Sequence, residues 1–279
     1  MIGVSRSGGV DLLDAAAVRE AVAAARPDVV YHLAARAHVG DSWHRPAGTV
    51  RDNVALTANV LEAVRTEAPE ATVVVAGSSE VYGAPERLPI DESAPLRPRN
   101  PYAASKAMAD VCAGFYADGY GLRVVRTRSF NHAGPGQQPI YAIASFARQV
   151  AGGGPRPRVV TGNRDARRDY TDVRDVVRAY RLLAERGAPG VYNVCSGRSA
   201  SAAELVAMLA RAAGVEVEHE VDRALLRPNE VMELRGSFEA LRAATGWEPE
   251  IPLARTLADT LAWWRDEIAA GRATGRFHE

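Results

Sequence analysis

Thr72-Val73-Val74-Val75-Ala76 runs directly into Gly77-Ser78-Ser79-Glu80-Val81-Tyr82-Gly83, and the join between these two stretches decides the fold. An apolar run without polar alternation reads as a strand covered on both faces, and the polar cluster after it marks the strand's carboxyl end. Val29-Val30-Tyr31-His32-Leu33 and Leu122-Arg123-Val124-Val125 repeat the short apolar run on either side. Helical stretches separate them. Residues 14–25 are alanine-rich and stop at Arg26-Pro27-Asp28, and residues 49–66 carry an apolar face of Val50, Val54, Leu56, Val60, Leu61 and Val64. A further helix is expected over residues 102–117. Strands alternating with helices predict an α/β fold with a doubly wound, parallel, Rossmann-like sheet. Such sheets bind ligands beyond the carboxyl ends of their strands, which is where Ser78 and its neighbours stand.

The pattern loosens after about Asn131. Gly152-Gly153-Gly154-Pro155 reads as a flexible connection, Val159-Val160 as the start of a strand, and residues 173–185 and 191–194 as a helix and strand returning to the main sheet. Helices over residues 201–213 and 253–269 suggest a smaller C-terminal substrate-binding region. The expected division is a dinucleotide-binding domain over residues 1–130, rejoined by roughly 168–200, and a substrate-binding domain over 131–167 and 201–270. Residues 271–279 are expected to be a loose tail.

The chain has 279 residues, 47% apolar and 24% charged, so it can bury a sizeable core and is not a disordered polymer. Its 34 basic and 34 acidic residues balance, which gives no net field toward nucleic acid or an anionic membrane. No apolar run reaches the roughly 20 residues of a membrane span. The six histidines and the two cysteines, Cys112 and Cys195, lack metal-site spacing, so no metal is expected and a reduced, cytoplasmic setting fits.

Tyr102-Ala103-Ala104-Ser105-Lys106 carries the sharpest chemical signal. Residues four apart share one helix face, so the phenol and the ammonium can reach one ligand. A nearby cation is expected to lower the tyrosine pKa and prepare it for proton exchange with a carbonyl or alcohol. A surface pair on an amphipathic helix would show the same spacing. Ser78, on its strand-end turn, could donate to the same substrate oxygen.

A strand, Ser78-Ser79-Glu80-Val81-Tyr82-Gly83, and then Tyr102-x-x-x-Lys106 together resemble the extended short-chain dehydrogenase/reductase family. Further matches are Asp11-Leu12, His32-Leu33-Ala34-Ala35, Asn53-Val54, Arg97-Pro98-Arg99-Asn100-Pro101, Arg168-Asp169-Tyr170 and Arg227-Pro228-Asn229-Glu230-Val231. Within that family, Ser129–Gln137 and Val191–Gly197 look most like GDP-4-keto-6-deoxy-mannose reductases. The resemblance implies a catalytic triad of Ser78, Tyr102 and Lys106, with Lys106 also holding the nicotinamide ribose. It implies cofactor contacts at Asp11, Leu12, Leu33, Ala34, Ala35 and His132, and sugar-nucleotide contacts at Asn131, Arg168, Arg227 and Glu230. Arginine forks suit a diphosphate, and Glu230 could accept two ribose hydroxyls. The implied partners are a nucleotide-diphosphate sugar and a second copy of the chain, through a four-helix interface of the 49–66 and 102–117 helices.

The family pattern opens with a strand, a Gly-x-x-Gly-x-x-Gly turn and a helix that hold the cofactor pyrophosphate. Ser7-Gly8-Gly9 lacks that spacing, so the chain is expected to be N-terminally truncated, matching only from the second strand onward. Arg6 then lies just past that strand, where a basic residue can pair with a 2′-phosphate, so the cofactor is expected to be NADP or NAD, with NADP favoured. Two other readings stand beside the reductase. One is a GDP-mannose 4,6-dehydratase using Glu80 as base, against which Gln137 replaces an arginine of the dehydratase loop. The other is a catalytically silent sugar-nucleotide binder.

Overall fold

The structure is a computed structural model that describes residues 2–226 and 230–272. Asp14 caps the first helix, α1 (Ala15–Ala25), by accepting from the Ala16 and Ala17 amides. It ends where Arg26 turns left-handed just before Pro27. The chain continues through β1 (Val29–His32), α2 (Val39–His44), α3 (Pro46–Glu67) and β2 (Thr72–Ala76). A 3-10 turn over Ser79–Tyr82 leads toward α4 (Pro101–Tyr120), whose first turn is fixed by Pro101 and by Asn100 Oδ1 accepting from the Ala103 amide at 2.7 Å. Next come β3 (Arg123–Ser129), β4 (Asn131–Ala133), α5 (Ala142–Gly152), β5 (Arg158–Thr161), β6 (Arg167–Asp172), α6 (Val173–Arg186) and β7 (Gly190–Val194). The chain then forms β8 (Ser199–Ser201), α7 (Ala202–Ala213), β9 (Glu218–Val221), β10 (Glu233–Leu234), α8 (Glu239–Thr245) and α9 (Leu253–Ala269).

The main sheet has the order β1-β2-β3-β7 and is parallel throughout. Its two faces are read directly from the alternation along β2. Val73 and Val75 pack with Leu61, Val64 and Ala113 under α3 and α4, while Val74 packs with Val125, Val176, Leu183 and Trp247 under α6 and α8. All three valines are buried, and each contributes roughly 1.5–3 kcal/mol of hydrophobic transfer. β7 pairs with β3 at the edge of this sheet.

A second lobe is built from smaller pieces. β6 pairs in parallel with β4 and β10 and antiparallel with β8, and β5 pairs with β9. Its core collects Ile143 and Phe146 of α5, Leu205 and Leu209 of α7, and Leu257, Leu261 and Trp264 of α9. α8 belongs to the main sheet's cover, because Leu241 and Trp247 join the core beneath α6.

Two expectations need correction. Ile2–Ser5 form no strand, so Arg6 does not follow one; it lies in a 3-10 turn over Arg6–Gly8. A strand exists only through a ladder partner, and among the described residues no segment pairs with the outer edge of β1. The glycine-rich stretch is also less of a linker than expected: Gly152 is the last residue of α5, and the turn is made at Gly154, with φ +71. Of the expected loose tail, residues 273–279 lie outside the described residues, and Arg272 pairs with Glu267 at 2.7 Å.

Candidate functional site

The carboxyl ends of β2 and β3 and the first turns of α4 form one corner. β2 hands over to the polar cluster at Gly77, whose amide donates to Thr127 O at 2.7 Å. A Cβ on residue 77 would lie 2.2 Å from that same oxygen, so only glycine lets the chain turn so close to β3. Ser78 follows as the cap of the 3-10 turn and accepts from the Glu80 amide at 3.2 Å.

Tyr102 stands on the first turn of α4, near enough to Ser78 for the serine hydroxyl to favour its phenolate. Lys106, four residues on, is buried and donates through Nζ to Ala76 O at 2.6 Å. The structure thus brings Ser78, Tyr102 and Lys106 together. It does not bear out the expected lowering of the tyrosine pKa. Burial pushes Tyr102 up to about 12, outweighing the Ser78 hydroxyl, and Glu80, Tyr141 and Tyr180 add to the rise. The ammonium is turned toward the Ala76 carbonyl, and burial brings Lys106 itself down to about 8, opposed by Asp110. At neutral pH Tyr102 is therefore a protonated phenol, ready to give a proton to an oxygen.

Asn53 of α3 is a residue whose position in the site the sequence did not disclose. Its Oδ1 accepts from the Arg36 amide at 2.7 Å, and its Nδ2 donates to Arg36 O at 3.2 Å and to Ser105 Oγ at 2.8 Å. Ser105 in turn donates to Tyr102 O at 2.7 Å. One buried amide therefore fastens the segment after β1 to the turn that carries Tyr102 and Lys106. His32 stays neutral on the same side, its pKa lowered to about 4 by burial and then by Lys106, with Nε2 3.2 Å from Thr57 Oγ1.

The other candidates are spread around this corner. Glu80 accepts from Asn100 Nδ2 at 3.1 Å, so the residue capping α4 also holds the carboxylate. Leu33 and Ala34 are exposed and Ala35 half-buried at the carboxyl end of β1. Asn131 and His132 lie on β4, with His132 Nδ1 donating to Phe130 O at 3.2 Å. Gln137 closes the same loop by donating to His132 O at 2.8 Å. Arg168, on β6, donates to Val231 O at 2.8 Å and lies 3.6 Å from Glu230. Arg227 lies outside the described residues.

Arg6 and Asp11 pair with each other at 3.7 Å, both exposed, and Leu12 O accepts from Asn59 at 2.9 Å. No hydrogen bond or ion pair joins these three to Ser78, Tyr102 or Lys106 among the described residues. Also among the described residues, no helix is long and apolar enough to cross a membrane, and no cluster of His, Cys, Asp or Glu could hold a metal ion.

The sequence profile of GDP-mannose 4,6 dehydratase matches residues 8–260. The chain belongs to this family. GDP-6-deoxy-D-mannose reductase of Pseudomonas aeruginosa is 40% identical over 248 residues, which cover 87% of this chain and 82% of that one. The structure of RMD from Pseudomonas aeruginosa complexed with NADPH superposes with a TM-score of 0.85 at 37% identity, covering 92% of this chain and 88% of that one. Thermus thermophilus UDP-glucose 4-epimerase complexed with NAD gives 0.82 at 33% identity, over 92% and 83%. The Rossmann-like α/β fold, membership in the epimerase/dehydratase group and the character of an NAD(P)-using enzyme are thereby established.

Proposed function

We propose that this chain reduces the 4-keto group of a nucleotide-diphosphate sugar, converting GDP-4-keto-6-deoxy-D-mannose to GDP-D-rhamnose. The observation that carries the reading is the convergence of Ser78 at the carboxyl end of β2 with Tyr102 and Lys106 on the first turns of α4, Lys106 being held to Ala76 O at 2.6 Å. Similarity to the Pseudomonas reductase supports the choice of sugar and base. Ser78 orients the keto oxygen, and Tyr102 delivers a proton to it as negative charge develops there.

The donor set suits a nicotinamide cofactor. Lys106 carries three N–H donors and the Ala76 carbonyl takes one, which leaves the ammonium able to serve ribose hydroxyls. Leu33, Ala34, Ala35 and His132 would flank the cofactor near the corner, with Asp11, Leu12 and Arg6 toward its adenine end. NAD(P)H, when bound, supplies the hydride. Arg168, Arg227, Asn131 and Glu230 hold the sugar nucleotide, with the arginines on its diphosphate.

The dehydratase reading rests on Glu80, which stands two residues beyond Ser78 in the same turn. One assay separates the two. With NADPH and GDP-4-keto-6-deoxy-D-mannose, nicotinamide absorbance should fall in step with formation of GDP-D-rhamnose. In a parallel reaction supplied with GDP-mannose in place of the keto sugar, consumption of GDP-mannose with no net oxidation of NADPH would establish the dehydratase instead.

A second copy of the chain completes the proposal. α3 and α4 pack against each other, and α4 leaves Met108, Val111, Phe115 and Tyr120 exposed for a neighbouring copy. Ala109, on the same helix, is buried within the subunit. Light scattering at micromolar concentration should give twice the chain mass, and a single-chain mass counts against the interface.

A further inference from the structure

Asp169 sits between Arg168 and Tyr170 in β6 and is 1% exposed. Consecutive strand residues point to opposite faces, so Asp169 turns away from the side on which Arg168 lies. Its carboxylate collects four donors from two other segments. Oδ1 accepts from the Ser196 amide at 2.8 Å and the Ser196 hydroxyl at 2.7 Å. Oδ2 accepts from the Gly197 amide at 3.0 Å and the Gly236 amide at 3.3 Å. No cation pairs with it among the described residues, and burial pushes it up to about 6 against those hydrogen bonds.

The segments it joins belong to different parts of the molecule. Ser196 and Gly197 form the turn just after β7, the last strand of the main sheet. Gly236 lies two residues beyond β10, which pairs with β6 in the second lobe. Gly236 is wedged so tightly that a Cβ would come within 2.6 Å of Phe130 and 2.7 Å of Cys195 Sγ. The strand beneath Arg168 is therefore fastened, through one carboxylate, to the sheet that ends at the catalytic corner. On the other face of that strand, Arg168 is tied to Val231 O at 2.8 Å.

We propose that Asp169 is a positioning residue for the sugar nucleotide: its carboxylate sets Arg168 and the 230–236 segment at a fixed place relative to Tyr102. The proposal rests on the sugar-nucleotide reading above. Loss of the carboxylate frees the β6 strand from the turn after β7 and lets the diphosphate-holding side chains drift from the keto carbon. The cofactor corner, built from β2, α3 and α4, shares none of these four bonds.

Calorimetric titration of wild type, Asp169→Asn and Ser196→Ala, with GDP-mannose and separately with NADPH, tests it. Asparagine keeps the shape but turns an N–H₂ toward the Gly197 and Gly236 amides. GDP-mannose affinity should fall roughly 10- to 100-fold in Asp169→Asn and about 3- to 10-fold in Ser196→Ala, which removes one of the four donors to Asp169 together with the hydroxyl's contacts to the Arg198 backbone. NADPH affinity should stay within about 2-fold of wild type in both, which a general loss of stability would not permit. Should Asp169→Asn fail to fold, Ser196→Ala decides alone. Wild-type GDP-mannose affinity in the folded variants, or equal losses for both ligands, overturns the proposal. A wild-type protein that does not bind GDP-mannose at all overturns the reading beneath it, and the proposal with it.

Discussion

The corner where β2, β3 and α4 meet and the outer side of β1 belong to one sheet, yet they are finished to different degrees. At the corner, Gly77, Asn53, Ser105 and Lys106 are all held by short hydrogen bonds, and three of the four donors or acceptors lie in buried side chains. Along β1, by contrast, Tyr31 and Leu33 are exposed, and Arg6 and Asp11 face water. Surface ion pairs such as Arg6–Asp11 are worth roughly 0–1 kcal/mol, whereas buried, fully partnered groups resist rearrangement. On the proposed reading, proton delivery is written into packing, and the grip on the cofactor's adenine end into loops.

From that contrast, the largest single effect should come from the corner and should spare binding. Tyr102→Phe is expected to cut kcat at least roughly 100-fold, the lower range for losing a general acid. NADPH affinity, measured alongside by calorimetry, should change by less than about 3-fold, because the phenol oxygen is one contact among many. Near-normal kcat in that variant removes Tyr102 from the chemistry.

A smaller effect follows from Lys106. Burial places its folded pKa at about 8, below the ordinary 10.5. If the charged form is needed, kcat/KM should decline about tenfold per pH unit above roughly pH 8. The stability sign runs with it: below pH 8 the folded state bears the cost of a buried ammonium, and that cost is relieved as pH rises from 8 toward 10.5. Lys106→Met should remove that rise in unfolding free energy. An unchanged pH dependence of stability in the variant would place the titration elsewhere.

The two regions also differ in how readable they were from the chain. Thr72–Ala76 and Leu253–Ala269 form elements with the bounds their apolar patterns indicated, since burial on both faces or on one helical stripe leaves a regular trace. β4, β6, β8 and β10 left none. They are two to six residues long, partly polar, and exist because distant segments pair with them. α5 did carry a signal, with Ile143, Phe146, Ala147 and Val150 at helical spacing, but the glycines at its end drew the reading toward a linker. The strand expected before Arg6 rested on a family pattern alone and lacked a ladder partner.

In the site, Ser78, Tyr102 and Lys106 stood out because their spacing along a strand end and a helix face has chemical meaning by itself. Asn53 and Asp169 were present only as letters within longer matching stretches. Their parts depend on Arg36, Ser105, Ser196 and Gly236, which are 17 to 67 residues away in the chain and come close only on folding. The Tyr102 shift runs opposite to the expected direction for a related reason. Spacing places an ammonium near a phenol, but only the fold reveals that a main-chain carbonyl takes it and that burial governs both groups.

The measurement that bears most directly on the account is the fate of a labelled hydride. NADPH carrying deuterium at both C4 positions of the nicotinamide is mixed with GDP-4-keto-6-deoxy-D-mannose and the product is read by mass spectrometry and NMR. The account predicts GDP-D-rhamnose with deuterium on sugar C4, formed in step with NADPH oxidation and lost in Tyr102→Phe. A product without deuterium at C4 contradicts it, as does, in a parallel reaction with GDP-mannose, turnover that leaves NADPH unconsumed while solvent hydrogen enters the sugar.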